Sequence, residues 1–149
     1  MFRIYLSYEL IRIKRMEQKK LPRPTEAELE ILQVLWENGP STVRFVNDEL
    51  NKKKRVGYTT TLKFMQIMTE KGLVIRDEAS RSHIYNASID QEETQNLLLD
   101  KFLTNTFGGS AMKLVMQALG NHKTSGDELE EIKKMIKKLE GDNNDELLK

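Results

Sequence analysis

Leu29, Leu32, Leu35 and Trp36 recur at the three- and four-residue spacing of one helical face, and the run that holds them has both a start and a stop signal. Pro22 and Pro24 break the chain ahead of it, Thr25-Glu26-Ala27-Glu28 has the form of a capping box, and Asn38-Gly39-Pro40 ends it. Ser41-Thr42 caps a second helix, in which Val43, Val46 and Leu50 keep the same period. Lys52-Lys53-Lys54-Arg55 follows as a polar connector. A third helix opens near Tyr58-Thr59, with the Thr59 hydroxyl expected as its cap. It buries Leu62, Met65 and Met68, with Phe64 beside them, and stops at Lys71-Gly72, where glycine suits the left-handed position after a helix.

The period then changes. Leu73-Val74-Ile75-Arg76 reads as a strand, residues 77–81 as a turn, and Ser82-His83-Ile84-Tyr85-Asn86 as a returning strand. Helix, helix, helix, hairpin, joined by short connections, is the order of a winged helix-turn-helix. Beyond Ser88-Ile89-Asp90 helical spacing resumes through Leu97, Leu98, Phe102 and Leu103, breaks at Gly108-Gly109-Ser110, and resumes over 111–119. Ser125-Gly126-Asp127-Glu128 starts a last helix carrying Leu129, Ile132, Ile136 and Leu139, with fraying expected after Gly141. Short helices are marginal in water, so these stripes need a packing partner, and a second copy of the chain is the simplest one. The pattern therefore predicts a mainly α protein. Residues 1–20 form a flexible extension, 21–89 a winged helix-turn-helix of three helices plus a β-hairpin wing, and 90–149 a helical dimerisation region.

Composition narrows the class. With 38% hydrophobic and 32% charged residues among 149, the chain can bury a core. Its net charge of +1 is unevenly spread: residues 1–20 carry 6 basic and 2 acidic side chains, 21–89 carry 10 and 9, and 90–149 carry 8 and 12. A polyanion would meet the first two segments. There are no cysteines, which excludes disulfides and thiol chemistry. No run resembles a signal peptide or a bilayer span, so a cytoplasmic protein is expected. Met16, set before a polar basic stretch, is a second place where translation could begin.

Catalysis finds little support. The two histidines, His83 and His122, stand in no nucleophile or metal-ligand motif, and Gly108-Gly109-Ser110 lacks the lysine and strand context of a phosphate loop. His122 is expected in a solvated loop, and no cofactor is expected. Nucleic-acid binding has a physical basis. Lys52, Lys53, Lys54, Arg55 and Lys63 fall within residues 52–63 without one acidic residue, a cluster suited to releasing counterions from a phosphate backbone. The third helix offers Tyr58, Thr59, Thr60, Thr61, Lys63 and Gln66, among which threonine reaches phosphate or a thymine methyl and glutamine favours adenine. Arg81 at the hairpin tip, with Arg76 and His83 near it, suits a wing against an adjacent groove. The same residues have ordinary uses too: a lysine run is commonly a solvated loop, and Trp36, Tyr58, Phe64 and Tyr85 suit a core better than base stacking.

The segment from Thr25 to Trp36 resembles the opening helix of the penicillinase repressor (BlaI/MecI) family, as do Tyr58-Thr59-Thr60-Thr61-Leu62, Glu70-Lys71-Gly72-Leu73-Val74, the wing ending in Tyr85, and Ser125-Gly126-Asp127-Glu128-Leu129. The resemblance spans about 21–139. It implies a homodimeric repressor whose winged helix binds palindromic operator DNA. Its C-terminal helices would form the dimer, for which Leu98, Phe102, Leu129, Ile132 and Ile136 are the interface residues. It implies further that a membrane-bound sensor protease, a zinc enzyme, triggers release by cleavage in the dimerisation region. The family's scissile pair is Asn-Phe, and Gln117-Ala118 is the pair aligned with it here. Copper-responsive relatives carry C-terminal cysteines, which this chain lacks. Two other readings stay open: a winged-helix regulator sensing a small molecule in an apolar cavity lined by Leu97, Phe102 and Met112, and a protein-interaction module without DNA affinity.

Overall fold

The computed structural model describes residues 23–79, 81–121 and 123–147, so the N-terminal extension, Met16 and His122 lie outside the described residues. In chain order the elements are α1 (Glu26–Asn38), β1 (Ser41–Thr42), α2 (Val43–Asn51), α3 (Tyr58–Glu70), β2 (Val74–Asp77), β3 (Ile84–Ala87), α4 (Gln91–Phe107), α5 (Ala111–Asn121) and α6 (Gly126–Leu147). The fold is mainly α with a winged helix-turn-helix at its head. Its contacts divide it into two units, with the boundary inside α4 between Gln95 and Asn96. No helix among the described residues is long and apolar enough to cross a membrane.

In the first unit α1 begins with the full capping box: Glu28 N–H donates to Thr25 Oγ1 and Thr25 N–H donates to Glu28 Oε2 at 2.9 Å. The buried stripe of α1 is Glu28, Ile31, Leu32 and Leu35: of the expected Leu29, Leu32, Leu35 and Trp36, the middle two are buried and Leu29 and Trp36 are only half-buried. A purely hydrophobic count missed the rotation because one member of the inward face is a carboxylate. Trp36 instead donates from Nε1 to the Ile89 carbonyl at 3.1 Å, fastening the exit of the hairpin to α1. Val43, Val46, Met65, Met68, Leu73, Val74 and Tyr85 complete the core, each side chain contributing roughly 1.5–3 kcal/mol through burial.

The three strands form an antiparallel sheet in the order β1-β3-β2. Ser41 and Thr42 were expected only as a cap, and they have two uses. Thr42 Oγ1 accepts from Phe45 N–H to start α2, while the same dipeptide pairs with Tyr85 and Ile84 of β3. The hairpin strands start one and two residues later than the pattern predicts, because Leu73 is spent closing α3: its N–H donates to the Met68 carbonyl at 2.9 Å across Gly72, whose φ is +78°.

The second unit has no core of its own. No residue of α5 or α6 is buried, and Leu99, Phe102, Met112, Val115, Met116, Met135, Ile136 and Leu139 are exposed. Helix α6 continues past Gly141 to Leu147, further than the fraying expected there. Lys133 pairs with Glu130 at 3.1 Å and Lys134 with Glu131 at 3.0 Å, one turn apart on its polar surface.

Candidate nucleic-acid interface

The turn between α2 and α3 is fixed by side-chain amides that stand in for backbone pairing. Asn47, 6% exposed, donates from Nδ2 to the Val56 carbonyl at 3.0 Å and to Thr61 Oγ1 at 2.9 Å. Asn51 Nδ2 donates to the same Val56 carbonyl at 2.9 Å, and its Oδ1 accepts from Val56 N–H at 3.0 Å. Thr61 donates onward to the Gly57 carbonyl at 3.4 Å. Lys53, Lys54 and Arg55 are thus displayed, exposed, on a turn with its own internal hydrogen bonds. Lys52 is exposed too, but its ammonium is paired with Glu49 at 2.6 Å.

Thr61 is therefore not a DNA contact. It is 0% exposed, on the inner face of α3 with Met65 and Met68, where its hydroxyl seats the helix. Two neighbouring expectations also change. Gly57 is the N-cap residue of α3 and no side chain caps that helix, so Thr59 is left outward, and Leu62 is half-buried rather than core. Thr59, Lys63, Gln66 and Glu70 follow one another at four-, three- and four-residue steps, and all four are exposed. They form the outward stripe of a 13-residue helix about 20 Å long. Thr60, although exposed, sits on the flank toward α1, in a cleft it shares with Glu26 and Glu30. Lys54 and Arg55 line the same cleft, so the charge around Thr60 is mixed.

On the other flank, Arg44, Tyr58, Gln66, Arg76, Arg81 and His83 line a cleft of about 470 Å³ that no Asp or Glu lines. Arg44 was not singled out by the sequence pattern. Its guanidinium lies 5.4 Å from the centre of the Tyr58 ring. The available signal was its place two residues after the Thr42 cap, at the exposed start of the helix that precedes α3. The Tyr85 hydroxyl, and after it Glu78 at 2.9 Å, stabilise the charged form of Arg76 and raise its pKa above the ordinary guanidinium value. Arg81 and His83 are exposed on the connection between β2 and β3. Among the described residues no cluster of His, Asp or Glu is placed to hold a metal ion.

Residues 24–138 match the family model described as penicillinase repressor. The chain belongs to the penicillinase repressor family. It is 25% identical over 118 residues to the penicillinase repressor of Bacillus licheniformis, covering 79% of this chain and 92% of that one. Similarity at 25% over 123 residues extends to the transcriptional regulator BlaI of Mycobacterium tuberculosis, covering 81% of this chain and 88% of the relative. Among solved structures, the monomeric form of Bacillus licheniformis BlaI in complex with the blaP half-operator is 25% identical, covers 49% of this chain and 89% of that one, and has a TM-score of 0.44.

Of the positions that the apolar stripes assign to the dimer, Leu98 and Ile132 are half-buried within the single chain, whereas Phe102, Leu129 and Ile136 are 49%, 39% and 50% exposed. Gln117 and Ala118 are exposed on α5. Leu97, Phe102 and Met112, expected to line a ligand cavity in the small-molecule reading, are exposed as well.

The seating of α3 has a measurable cost. Thr61→Val removes the acceptor of one Asn47 N–H while keeping the side-chain volume, and leaves that donor buried. It should lower the unfolding free energy by about 1–2 kcal/mol in urea titration. Sequence preference on DNA should be unchanged, and a shift in preference would return Thr61 to the reading face.

Proposed function

We propose that this chain is a homodimeric transcriptional repressor that places α3 in the major groove of an operator half-site. The observation that carries the reading is the stripe Thr59, Lys63 and Gln66 on a helix held by the Asn47–Thr61 bond, beside the exposed cations of the α2–α3 turn. Gln66 is the residue suited to reading a base edge, by a paired contact to adenine, and Lys63 suits guanine or phosphate. Lys53, Lys54 and Arg55 supply affinity that does not depend on sequence. The half-operator complex of the Bacillus licheniformis relative supports DNA as the partner.

Dimerisation through α4–α6 is supported by the exposed apolar residues of the second unit, whose three helices bury nothing in α5 and α6 alone. Two linked reading heads gain affinity from the high effective concentration of the second. Release then needs only separation of the dimer, and no signal has to travel into the winged helix. A membrane-bound sensor protease cutting at Gln117-Ala118 would do this. Helix α5 has 11 residues and no buried side chain in the single chain, so opening it to an extended form for cleavage costs little.

The first test is fluorescence anisotropy over a salt series, with a duplex from upstream of the chain's own gene and a scrambled duplex. Tight, salt-dependent preference for the upstream duplex is expected, and no affinity for either at low salt would favour a protein-interaction module. In the same assay Lys54→Ala should weaken binding to both duplexes alike and lower the salt slope by about one, while Gln66→Ala should cost roughly 1–3 kcal/mol on the preferred duplex alone. Equal behaviour of the two variants would move the reading face away from Gln66.

A further inference from the structure

The cleft between the start of α2, one flank of α3 and the hairpin carries more charge than a scaffold needs. Three arginines and His83 line it without a carboxylate among them. Arg76 is already engaged by Tyr85 and Glu78. Arg44 and Arg81 remain, one on each wall. We propose that they clamp one phosphodiester of the operator backbone, and that this contact sets the register in which Gln66 meets the bases. The proposal rests on the operator-binding reading above and adds to it a defined phosphate seat.

Three features of the site support a built seat. First, the Arg44 guanidinium lies over the Tyr58 ring, 5.4 Å from its centre, a contact that restrains the side chain at the mouth of the cleft, and a guanidinium has the forked N–H donors that suit a phosphate. Second, the two walls are parts of one sheet-linked frame. Thr42 pairs with Ile84 and Ser41 with Tyr85, so the start of α2 and the strand returning from the wing tip are hydrogen-bonded neighbours, and Thr42 also caps α2 through Phe45 N–H. The start of α2, which carries Arg44, is thus held to β3, and Arg81 lies three residues before that strand. Third, Gln66 lines the same cleft, so the side chain suited to a base edge shares a wall with the groups suited to the backbone. Phosphate contacts carry no sequence information but fix orientation on the duplex, and a clamp next to a base reader does that directly.

The experiment uses the full chain and the preferred duplex from the anisotropy assay, remade as a set in which one phosphate at a time is a neutral methylphosphonate. For the unaltered protein, one position in each half-site should weaken binding about tenfold, as expected for loss of a charge-assisted contact. Arg44→Ala and Arg81→Ala should each weaken binding to the unmodified duplex and show a reduced penalty at that position, the double variant should show none there, and penalties elsewhere should persist. Tyr58→Ala should lose part of the Arg44 contribution, and more of it than Tyr58→Phe, which keeps a ring under the guanidinium. Both residues are exposed, and unchanged melting temperatures of the variants would separate the effect from folding. The proposal is overturned if both arginine variants bind normally, or if every methylphosphonate penalty survives in them. It is equally overturned if the scan is flat while inorganic phosphate alone raises the melting temperature of the unaltered protein and not of Arg44→Ala, which would assign the cleft to a free anion. Failure of the operator reading itself looks different, because the unaltered protein would then prefer no duplex.

Discussion

Ile136→Asp should weaken binding to a full palindromic operator by a hundredfold or more while leaving affinity for a single half-site duplex unchanged. Ile136 is 50% exposed on α6, one turn beyond Ile132, with Leu129 and Leu139 continuing the same stripe. In the single chain a carboxylate at that position meets water and costs little. Between two copies it would be buried against an apolar partner surface, where a charge without a counter-ion is costly enough to prevent association. The loss on the full operator then follows from effective concentration: a linked second head contributes about 10²–10⁴ in avidity with no new contact, and that factor vanishes with the dimer. Ile132→Asp should act in the same direction, but Ile132 is half-buried and lines a cleft with Ala118 and Leu119, so its effect includes a disturbance within the unit. Analytical ultracentrifugation of Ile136→Asp decides the matter. A variant that still sediments as a dimer would place the interface elsewhere, and equal losses on half and full sites would mean that the substitution had reached the winged helix.

The same stripe shows how legible the chain was. Alternation and helical spacing sufficed for the order of the first three helices, the hairpin and the last helices, because each apolar stripe is bounded by a capping box, a Gly-Pro break or a left-handed glycine. Errors arose where polar side chains do structural work. Glu28 and Thr61 are buried members of helical stripes, at 2% and 0% exposure, and a hydrophobicity count assigns both to the surface. Thr61 lies among Thr59, Thr60 and Lys63 in sequence, and only the partner Asn47, fourteen residues earlier, reveals that it faces inward. The pair β1–β3 was missed for another reason. A two-residue strand has no period to read, and its existence depends on β3 arriving from more than forty residues away. Arg44 fell out of the candidate set because its significance is a cleft assembled from α2, α3 and the wing together.

Lys71→Met should destabilise the winged helix by about 2–3 kcal/mol at neutral pH, and most of that loss should disappear in acid. Glu28 is 2% exposed, yet it receives Thr25 N–H at one oxygen and the Lys71 ammonium, at 2.6 Å, at the other. Burial alone pushes its pKa up. Lys71 and the Thr25 N–H outweigh that penalty, and the carboxyl is held below the ordinary range. Since the folded pKa is the lower one, the unfolded chain takes up the proton first. The contribution of the pair is therefore complete above about pH 4.3, the usual unfolded value, and is lost as the pH falls through the folded value. In Lys71→Met the balance changes: burial opposes only the Thr25 bonds, so the pKa of Glu28 rises, and the carboxyl can be neutralised without breaking an ion pair. The two proteins should thus differ most in urea titrations at pH 7, and the difference should shrink as the pH falls below the unfolded value and through the folded one. Removing one partner of a buried pair commonly costs more than this, but the Lys71 side chain is 38% exposed, and solvent screening reduces the loss. Glu28→Gln is the informative contrast. Glutamine still completes the capping box and leaves the ammonium partly hydrated, so its loss at pH 7 should be the smaller of the two. A loss in Lys71→Met that stays the same from pH 7 down to the acid limit of the folded state would mean that the lysine acts through packing of its aliphatic stem, and that the link from the start of α1 to the end of α3 is not electrostatic.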